Sequence, residues 1–277
     1  MGYNENFLGD YNIHLPKLGS QSLEDSVEKG NAFDYTHFSI VMNRVRKLAT
    51  YTAHNIDGKN LKSVPRNGKW SLDPRVGDNQ TGNEAYSRNP WDRGHLVRRT
   101  AVAWGDSASK ASSDTFYFTN AAPQHENFNQ DEWLELENWL LAKADQSNAR
   151  MCVFTGPIFQ ESDQKYRDIF IPTAFWKVIV LKKPQGGLSS VAFLMKQDEM
   201  WDDKNGKKFL NLTLYQVAVS LIEELADLSF TFELGEQIPV QSSTESDLKR
   251  FDPLANFISE NKQQPWPVIK TKDDIVV

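Results

Sequence analysis

A short run of the chain, residues 89–99, brings together side chains that suit the cleavage of a phosphodiester bond. It reads Asn-Pro-Trp-Asp-Arg-Gly-His-Leu-Val-Arg-Arg, with His95 two residues after Arg93. An imidazole can take a proton from water near pH 7. A guanidinium can hold a phosphate by two hydrogen bonds and offset charge that grows in a transition state. So short a run can occur by chance, so the spacing of other polar residues decides the interpretation.

A second candidate, Glu137, lies on the apolar side of a predicted helix. At about 100° per residue, residues 129–144 place Trp133 and Leu136 on one face, and Glu137 falls in the same sector. A carboxylate there must be paired, bound to a metal ion or water, or directed into a cleft, because an unpaired buried charge is costly. A structural ion pair and a functional role both stay open. Asn129, in the same sector, is also suited to be the helix N-cap.

The composition indicates a globular protein and limits its metal chemistry. The 277 residues are 39% hydrophobic and 12% aromatic, which is enough for a sizeable core. No run approaches the ~18 apolar residues of a membrane span, so we expect a soluble chain without a membrane partner. The single cysteine, Cys152, excludes an internal disulfide and a multi-cysteine zinc site. The first residues lack signal-peptide features, which slightly favours the cytoplasm over a processed, secreted chain.

The net charge of −6 argues at first against a protein that binds nucleic acid. The charge is unevenly distributed, however. Residues 43–110 contain 13 Lys and Arg residues but only 6 Asp and Glu residues, a local net charge of +7 that leaves −13 elsewhere. The segment can therefore present a basic face to a polyanion, although scattered surface charge explains the count equally well.

Strands and helices without regular βαβ alternation predict an α+β domain that must position these residues. We predict strands within 38–54 and at 115–118, 151–155, 175–181 and 190–195, and helices at 129–144 and 214–226. Residues 55–90 are rich in Asn, Gly, Asp and Pro and predict a long irregular segment, which is uncommon unless it has a function.

No linker separates two domains in this sequence. Residues 1–35 are polar and interrupted by turns, and we expect an N-terminal arm packed on the domain. Residues 36–235 form the predicted domain, and residues 236–277 are a polar C-terminal extension that we assign to the same domain.

The run Asp92-Arg93-Gly94-His95 resembles the signature of the DNA/RNA non-specific endonucleases, a family of ββα-metal-finger enzymes. Residues 120–124 are similar to the family's Asn-x-x-Pro-Gln segment. Asn129, Trp133 and Glu137 are similar to its Asn-x3-Trp-x3-Glu helix. The resemblance covers roughly residues 2–232. It implies that residues 36–235 form a ββα-metal-finger nuclease domain, with a mixed or antiparallel central sheet and flanking helices.

The resemblance also implies a role for each motif residue. His95 matches the general base that activates water, and Asn129 matches the only side chain that binds the metal ion directly. Glu137 matches the residue that holds a water on that ion. Arg93 is assigned to phosphate binding or site geometry, and Asn120 to positioning the histidine. A site with one amide ligand suits Mg²⁺, which keeps several waters, and Mn²⁺ or another divalent ion can substitute.

The arginines outside the motif core are less specific. The family has an upstream, phosphate-contacting arginine before a Trp and an Asp-Pro pair, and Arg66 fits this pattern best, with Arg75 as the alternative. Arg98 and Arg99 follow the histidine, where they either contact the nucleic-acid backbone or lie on the solvated surface.

The implied function is a Mg²⁺-dependent endonuclease that cleaves DNA and RNA with little sequence preference and leaves 5′-phosphate products. Its partner is then the nucleic-acid backbone, read at phosphates rather than base edges. A non-catalytic nucleic-acid-binding relative is disfavoured, because the sequence retains all five motif residues: Arg93, His95, Asn120, Asn129 and Glu137. An inhibitor, a larger effector or toxin assembly, a homodimer and the preference between DNA and RNA stay open.

Overall fold

The computed structural model of the protein describes residues 1–125, 132–183, 186–197, 214–232 and 268–269. Within these ranges the strands, in chain order, are β1 Lys17–Leu18, β2 Phe33–Tyr35, β3 Phe38–Asn43, β4 Leu48–Asp57, β5 Trp91–His95, β6 Ala121–His125, β7 Arg150–Ile158, β8 Lys165–Tyr166, β9 Ile169–Phe170, β10 Ala174–Lys182, β11 Leu188–Lys196, β12 Leu214–Val217, β13 Leu228–Ser229 and β14 Val268–Ile269. The α-helices are α1 Ser20–Glu24, α2 Ala108–Asp114, α3 Glu132–Ser147 and α4 Val219–Ala226.

An antiparallel sheet of eight described strands forms the centre of the fold. Its order is β14-β12-β11-β10-β7-β4-β3-β2, and every neighbouring pair runs antiparallel. The predicted α+β class with an antiparallel central sheet is confirmed.

Side chains that alternate along the strands fill two cores, one on each face of the sheet. On one face, Phe175 of β10 packs in the same cluster as Trp133 of α3. On the other face, Trp176 of β10 joins Phe7 and Ile13 of the N-terminal segment, with residues of α4. Because both faces are covered, β3 is buried throughout, including the polar positions that alternate with its apolar residues.

The strand patterns in the second half of the chain are confirmed, but two other predicted elements are wrong. Residues 115–118 do not form a strand: α2 ends at Asp114, and Phe118–Asn120 is a 3₁₀ turn. The aromatic residues there pack around Trp70 rather than in a sheet. Residues 214–217 form β12 rather than the start of a helix, because they pair with β11 and β14; α4 begins at Val219.

A separate ββα unit stands beside the central sheet. β5 pairs antiparallel with β6, with His95 opposite Ala121 and Gly94 opposite Ala122, and α3 follows β6 in the chain. Gly94 is required by close packing, since a Cβ there would lie 2.0 Å from Oε1 of Gln124. Asn129 lies outside the described residues, as does the first part of the predicted 129–144 helix. From Glu132 onward the helix is present, and it extends to Ser147.

The N-terminal segment lies against the domain and reaches its C-terminal part. The backbone amide of Asn4 donates to Oδ1 of Asn55 at 2.7 Å, and β1 pairs with β13. Cys152 lies beneath this segment, fully buried in β7, and accepts a hydrogen bond from Nδ2 of Asn55. No helix among the described residues is both long and apolar enough to cross a membrane.

Candidate active site

His95 ends β5 in a half-buried pocket lined by aromatic rings. Its imidazole centroid lies 4.8 Å from that of Trp70 and 5.0 Å from that of Phe116, which it meets edge-on. Residue 68 is glycine, and a Cβ there would overlap the Phe116 ring. Nε2 of His95 is buried and has no hydrogen-bond partner among the described residues, so none of them uses this ring nitrogen.

The surroundings of His95 favour the neutral imidazole. Burial, together with the positive charges of Arg66 and Arg99, lowers its pKa from 6.5 to about 3. At neutral pH the ring therefore carries no proton on one nitrogen and can accept one.

Asn120 is fully buried and ties together the backbone around His95. Its Oδ1 accepts a hydrogen bond from the amide of Val97 at 2.9 Å, and its Nδ2 donates to the carbonyls of Val97 and Thr115, each at 3.0 Å. The amide of Leu96 donates to its backbone carbonyl. The side chain is thus occupied within the protein and holds the segment that follows the histidine.

Arg93 lies on β5, two residues before His95, and reaches the irregular segment before the strand. Its Nη2 donates to Oδ1 of Asn83, and its guanidinium carbon lies 5.8 Å from the centre of the Tyr86 ring. Its Nε is buried and has no partner among the described residues. The guanidinium is therefore oriented but keeps hydrogen-bonding capacity.

The two upstream arginines differ sharply in their surroundings. Arg66 is exposed, lies 5.6 Å from the centre of the Phe116 ring and acts electrostatically on His95. Arg75 instead binds the buried carboxylate of Asp73 at 2.6 Å and packs over Tyr35 at 4.7 Å. Arg75 is thus neutralised within the fold, and Arg66 is the arginine beside the histidine.

Arg98 and Arg99 diverge from the end of β5 towards different elements. Nη2 of Arg98 donates to Oδ1 of Asn138 on α3 at 2.8 Å, and its Nη1 is buried without a partner among the described residues. Burial lowers the pKa of Arg98, and the charge of Glu137 opposes that effect. Arg99 donates to the carbonyl of Val64 at 3.1 Å. Of the two side chains, Arg99 contributes positive charge at His95, whereas Arg98 is directed to α3.

Glu137 is paired inside the protein with Lys177, a residue to which the sequence motifs gave no role at the site. Only 8% of Glu137 and 1% of Lys177 is exposed. Nζ of Lys177 donates to Oε1 of Glu137 at 3.4 Å and to Oγ1 of Thr155 at 3.0 Å. Burial lowers the pKa of Lys177, and Glu137 opposes that shift. The one available signal was a lysine within the apolar run of β10.

The described residues contain no group of three or more His, Cys, Asp or Glu side chains that could hold a metal ion. A site built from several carboxylates or imidazoles therefore has no basis within those ranges. The expected direct ligand, Asn129, lies outside them, and its role stays a prediction.

This fold and site define an α+β protein with an antiparallel sheet beside a ββα unit, β5–β6–α3, in which a neutral histidine lies among arginines. The family model for DNA/RNA non-specific endonuclease matches residues 20–236. The chain belongs to the DNA/RNA non-specific endonuclease family.

Three curated relatives show how the match is distributed. The uncharacterized protein y4fB of Sinorhizobium fredii is 41% identical over 218 residues, which cover 72% of this chain and 33% of that protein. Human mitochondrial endonuclease G is 32% identical over 125 residues, 41% of each chain. The nuclease of Serratia marcescens is 27% identical over 226 residues, covering 76% of this chain and 77% of the relative. The chain spans between a third and about two fifths of the first two relatives.

A solved structure supports the fold assignment. The crystal structure of the EndoG/EndoGI complex, described as showing the mechanism of EndoG inhibition, matches with a TM-score of 0.58 and 20% identity. The match covers 76% of this chain and 89% of that chain. At this identity the likeness concerns the fold alone.

Proposed function

We propose that the protein is a metal-dependent endonuclease that hydrolyses phosphodiester bonds of DNA and RNA with little sequence preference. The observation that carries the proposal is His95, an imidazole held neutral, with positive charge from Arg66 and Arg99 and an Nε2 that no described residue engages. A neutral base beside guanidinium groups suits attack on an anionic phosphate, because base and phosphate anchor are both present at neutral pH.

The chemical step follows from the base. His95 accepts a proton from a water molecule as the water oxygen bonds to phosphorus. The bond from phosphorus to the 3′ oxygen then breaks, and that oxygen takes a proton to become a hydroxyl. The products carry a 5′-phosphate and a 3′-hydroxyl. Asn120 supports the step by holding the backbone after His95.

The arginines would bind substrate and stabilise developing charge. Arg66 and Arg99 lie on one side of the histidine, and Arg93 precedes it on β5 with an unpartnered Nε among the described residues. Arg98, on the α3 side, is suited to a neighbouring phosphate. All four contact the backbone rather than base edges, so the binding carries little sequence information.

The family is generally dependent on a divalent metal ion, and we assign Mg²⁺, with Mn²⁺ as a substitute. Asn129 would hold the ion directly and Glu137 through water. The described donor set fits an ion that keeps most of its waters, because it provides one buried carboxylate rather than a cluster. When bound, the ion supplies positive charge that stabilises the phosphate and the leaving oxygen.

Regulation by partners follows as a proposal from the same family. The solved relative is complexed with an inhibitor, so a protein inhibitor or a larger effector assembly is a candidate partner here, as is a second copy of the chain.

Cleavage assays on plasmid DNA and on RNA, with Mg²⁺ or EDTA, test the proposal. We expect metal-dependent cleavage and a loss of about 10²–10⁴-fold in kcat for His95→Ala, the range for a general base. His14→Ala is the matched control, since this exposed histidine pairs only with Glu5 among the described residues. Wild type that binds nucleic acid without cleaving it would indicate a non-catalytic relative, and full activity of His95→Ala would sink the assigned mechanism.

A further inference from the structure

We propose that Lys177 is a positioning residue for this reaction: its ammonium group fixes one carboxylate oxygen of Glu137 and leaves the other free to accept hydrogen bonds from water. The inference rests on the proposed nuclease function. It assigns a task to a residue outside the histidine motif and outside the helix that carries Glu137.

The position of Lys177 is unfavourable for a lysine. Lys177 lies in the middle of β10, opposite Thr155 of β7, and the other residues of β10 are almost all apolar and buried. Replacing a buried ion pair by apolar residues is often neutral or stabilising, because desolvation of the two charges offsets their attraction. Stability alone therefore does not account for a charged pair at this place.

The contacts of the ammonium group give it a fixed direction. An ammonium has three donors, and Nζ uses two of them on Thr155 Oγ1 at 3.0 Å and Glu137 Oε1 at 3.4 Å. The Trp133 ring lies 4.9 Å from Nζ, one helical turn before Glu137 on α3. Lys177 thus links the central sheet to the helix of the ββα unit through its contact with the Glu137 carboxylate.

Only half of the Glu137 carboxylate is used by these contacts. Oε1 accepts from Lys177, whereas Oε2 has no hydrogen-bond partner among the described residues. On the next residue of α3, Asn138 accepts from Arg98, which places a second cation beside the carboxylate. Among the described residues the glutamate is therefore anchored at one oxygen, and none of them uses the other oxygen as an acceptor.

A double-mutant cycle separates positioning from a purely structural ion pair. The variants are Lys177→Met, Glu137→Gln and the double variant, each measured for kcat and KM on plasmid DNA, for free energy of unfolding in urea, and for Mn²⁺ binding by calorimetry. Arg46→Met is the matched control. It removes the cation of another ion pair, in which Arg46 meets a fully buried Asp163 carboxylate at 3.1 Å.

We expect Lys177→Met to lower kcat and Mn²⁺ affinity by about 10–100-fold, the effect of outer partners in metal sites, with KM nearly unchanged. If Lys177 acts through Glu137, adding Lys177→Met to Glu137→Gln should change kcat by less than about twofold. Arg46→Met should lower the free energy of unfolding and keep kcat.

The inference would be overturned if the kcat losses of the two single variants multiply in the double variant. A kcat loss in Arg46→Met as large as that in Lys177→Met would overturn it too. If Lys177→Met does not fold, Thr155→Val removes one acceptor of the ammonium while keeping the side-chain shape. Its smaller kcat loss should likewise vanish in the Glu137→Gln background. Wild type without metal-dependent cleavage overturns both proposals, whereas an active wild type with an additive cycle overturns this one alone.

Discussion

The imidazole of His95 combines low basicity with permanent availability. Burial and two neighbouring guanidinium groups keep it unprotonated at neutral pH, so very little of the protein carries the imidazolium form. A base with a low pKa is intrinsically weaker. The charges of Arg66 and Arg99 lower the basicity of His95. The same charges would bind the phosphate and provide electrostatic stabilisation.

The acid side of the pH profile should reflect this environment. Because the pKa of His95 is lowered to about 3, kcat/KM should not fall at pH values near 6.5. Arg66→Met removes a positive charge and should move the acid limb to higher pH, whereas Arg44→Met, an exposed arginine on the segment after β3, should not. A wild-type acid limb centred near pH 6.5 would contradict the assignment.

The same shift makes His95 contribute to stability in a pH-dependent way. Its folded pKa lies below its unfolded value of 6.5, so the unfolded chain binds the proton more tightly. The contribution is therefore complete above pH 6.5 and is lost progressively as the pH falls towards 3. Urea denaturation of wild type and His95→Ala across this range would measure the difference.

Arg66 and Arg75 should respond differently to removal. Arg66→Ala should weaken substrate binding and reduce the slope of log kcat/KM against log salt by about 0.9 for one lost phosphate contact. Arg75→Ala should leave that slope unchanged and instead cost about 1–3 kcal/mol of stability, because the buried Asp73 carboxylate loses its cation and keeps only the hydrogen bonds from Tyr35 and a backbone amide. A reduced salt slope in Arg75→Ala would reverse the assignment of the upstream arginine.

The β5–β6 pair, rather than a loop, determines where the histidine points. Its register places His95 at the strand end, and Asn120 closes the turn beyond it with three side-chain hydrogen bonds. Asn120 therefore acts on the whole element although it need not touch substrate.

Asn120→Ala should show that separation in kinetics and stability. Leaving the Val97 amide without its acceptor costs about 1–3 kcal/mol of unfolding free energy, and a shifted His95 should lower kcat with KM largely retained. Thr115→Val is a suitable control, since the Asn120 contact uses the backbone carbonyl of residue 115 and not its side chain. Unchanged kcat in a destabilised Asn120→Ala protein would assign Asn120 to stability alone.

Elements with local patterns were predictable from the sequence, and contacts between distant segments were not. The alternating apolar runs of β7, β10 and β11 and the periodicity around Glu137 are properties of single segments. The pairing of Glu137 with Lys177 joins residues 40 positions apart, and no periodicity contains it. The contacts of His95 with Trp70 and Phe116 also join distant parts of the sequence, so local patterns could not predict them. The predicted start of the 214–226 helix was wrong, because residues 214–217 pair with neighbouring strands that override local propensity, whereas residues 219–226 are helical.

On the scale of the whole molecule, charge is divided between an acidic scaffold and a basic site region. The net charge is −6 although residues 43–110 carry +7, and the arginines assigned to substrate, Arg66, Arg93, Arg98 and Arg99, all lie in that segment. Long-range attraction to a polyanion should therefore come mainly from this segment, because the rest of the chain carries a net charge of −13.

Activity should consequently fall steeply with salt. Four backbone contacts predict a slope of about −3 to −4 for log kcat/KM against log salt on duplex DNA, at about −0.9 per phosphate. Measurements between 50 and 200 mM KCl at fixed Mg²⁺, where roughly two decades of loss are expected, would check it. A flat profile would mean that the arginines are solvated surface residues and that recognition depends on other groups.

The reaction of Cys152 with a thiol reagent can report how often the core of this fold opens. Cys152 lies in β7 at the centre of the sheet, fully buried, and burial raises its pKa to about 12, so a thiol reagent reaches it as a reactive thiolate only when the sheet and the segment above it open. The rate of labelling under native conditions therefore reports the free energy of that opening. The labelling rate of Cys152 with a chromogenic disulfide reagent can therefore rank the variants above by how often their core opens, without an engineered probe.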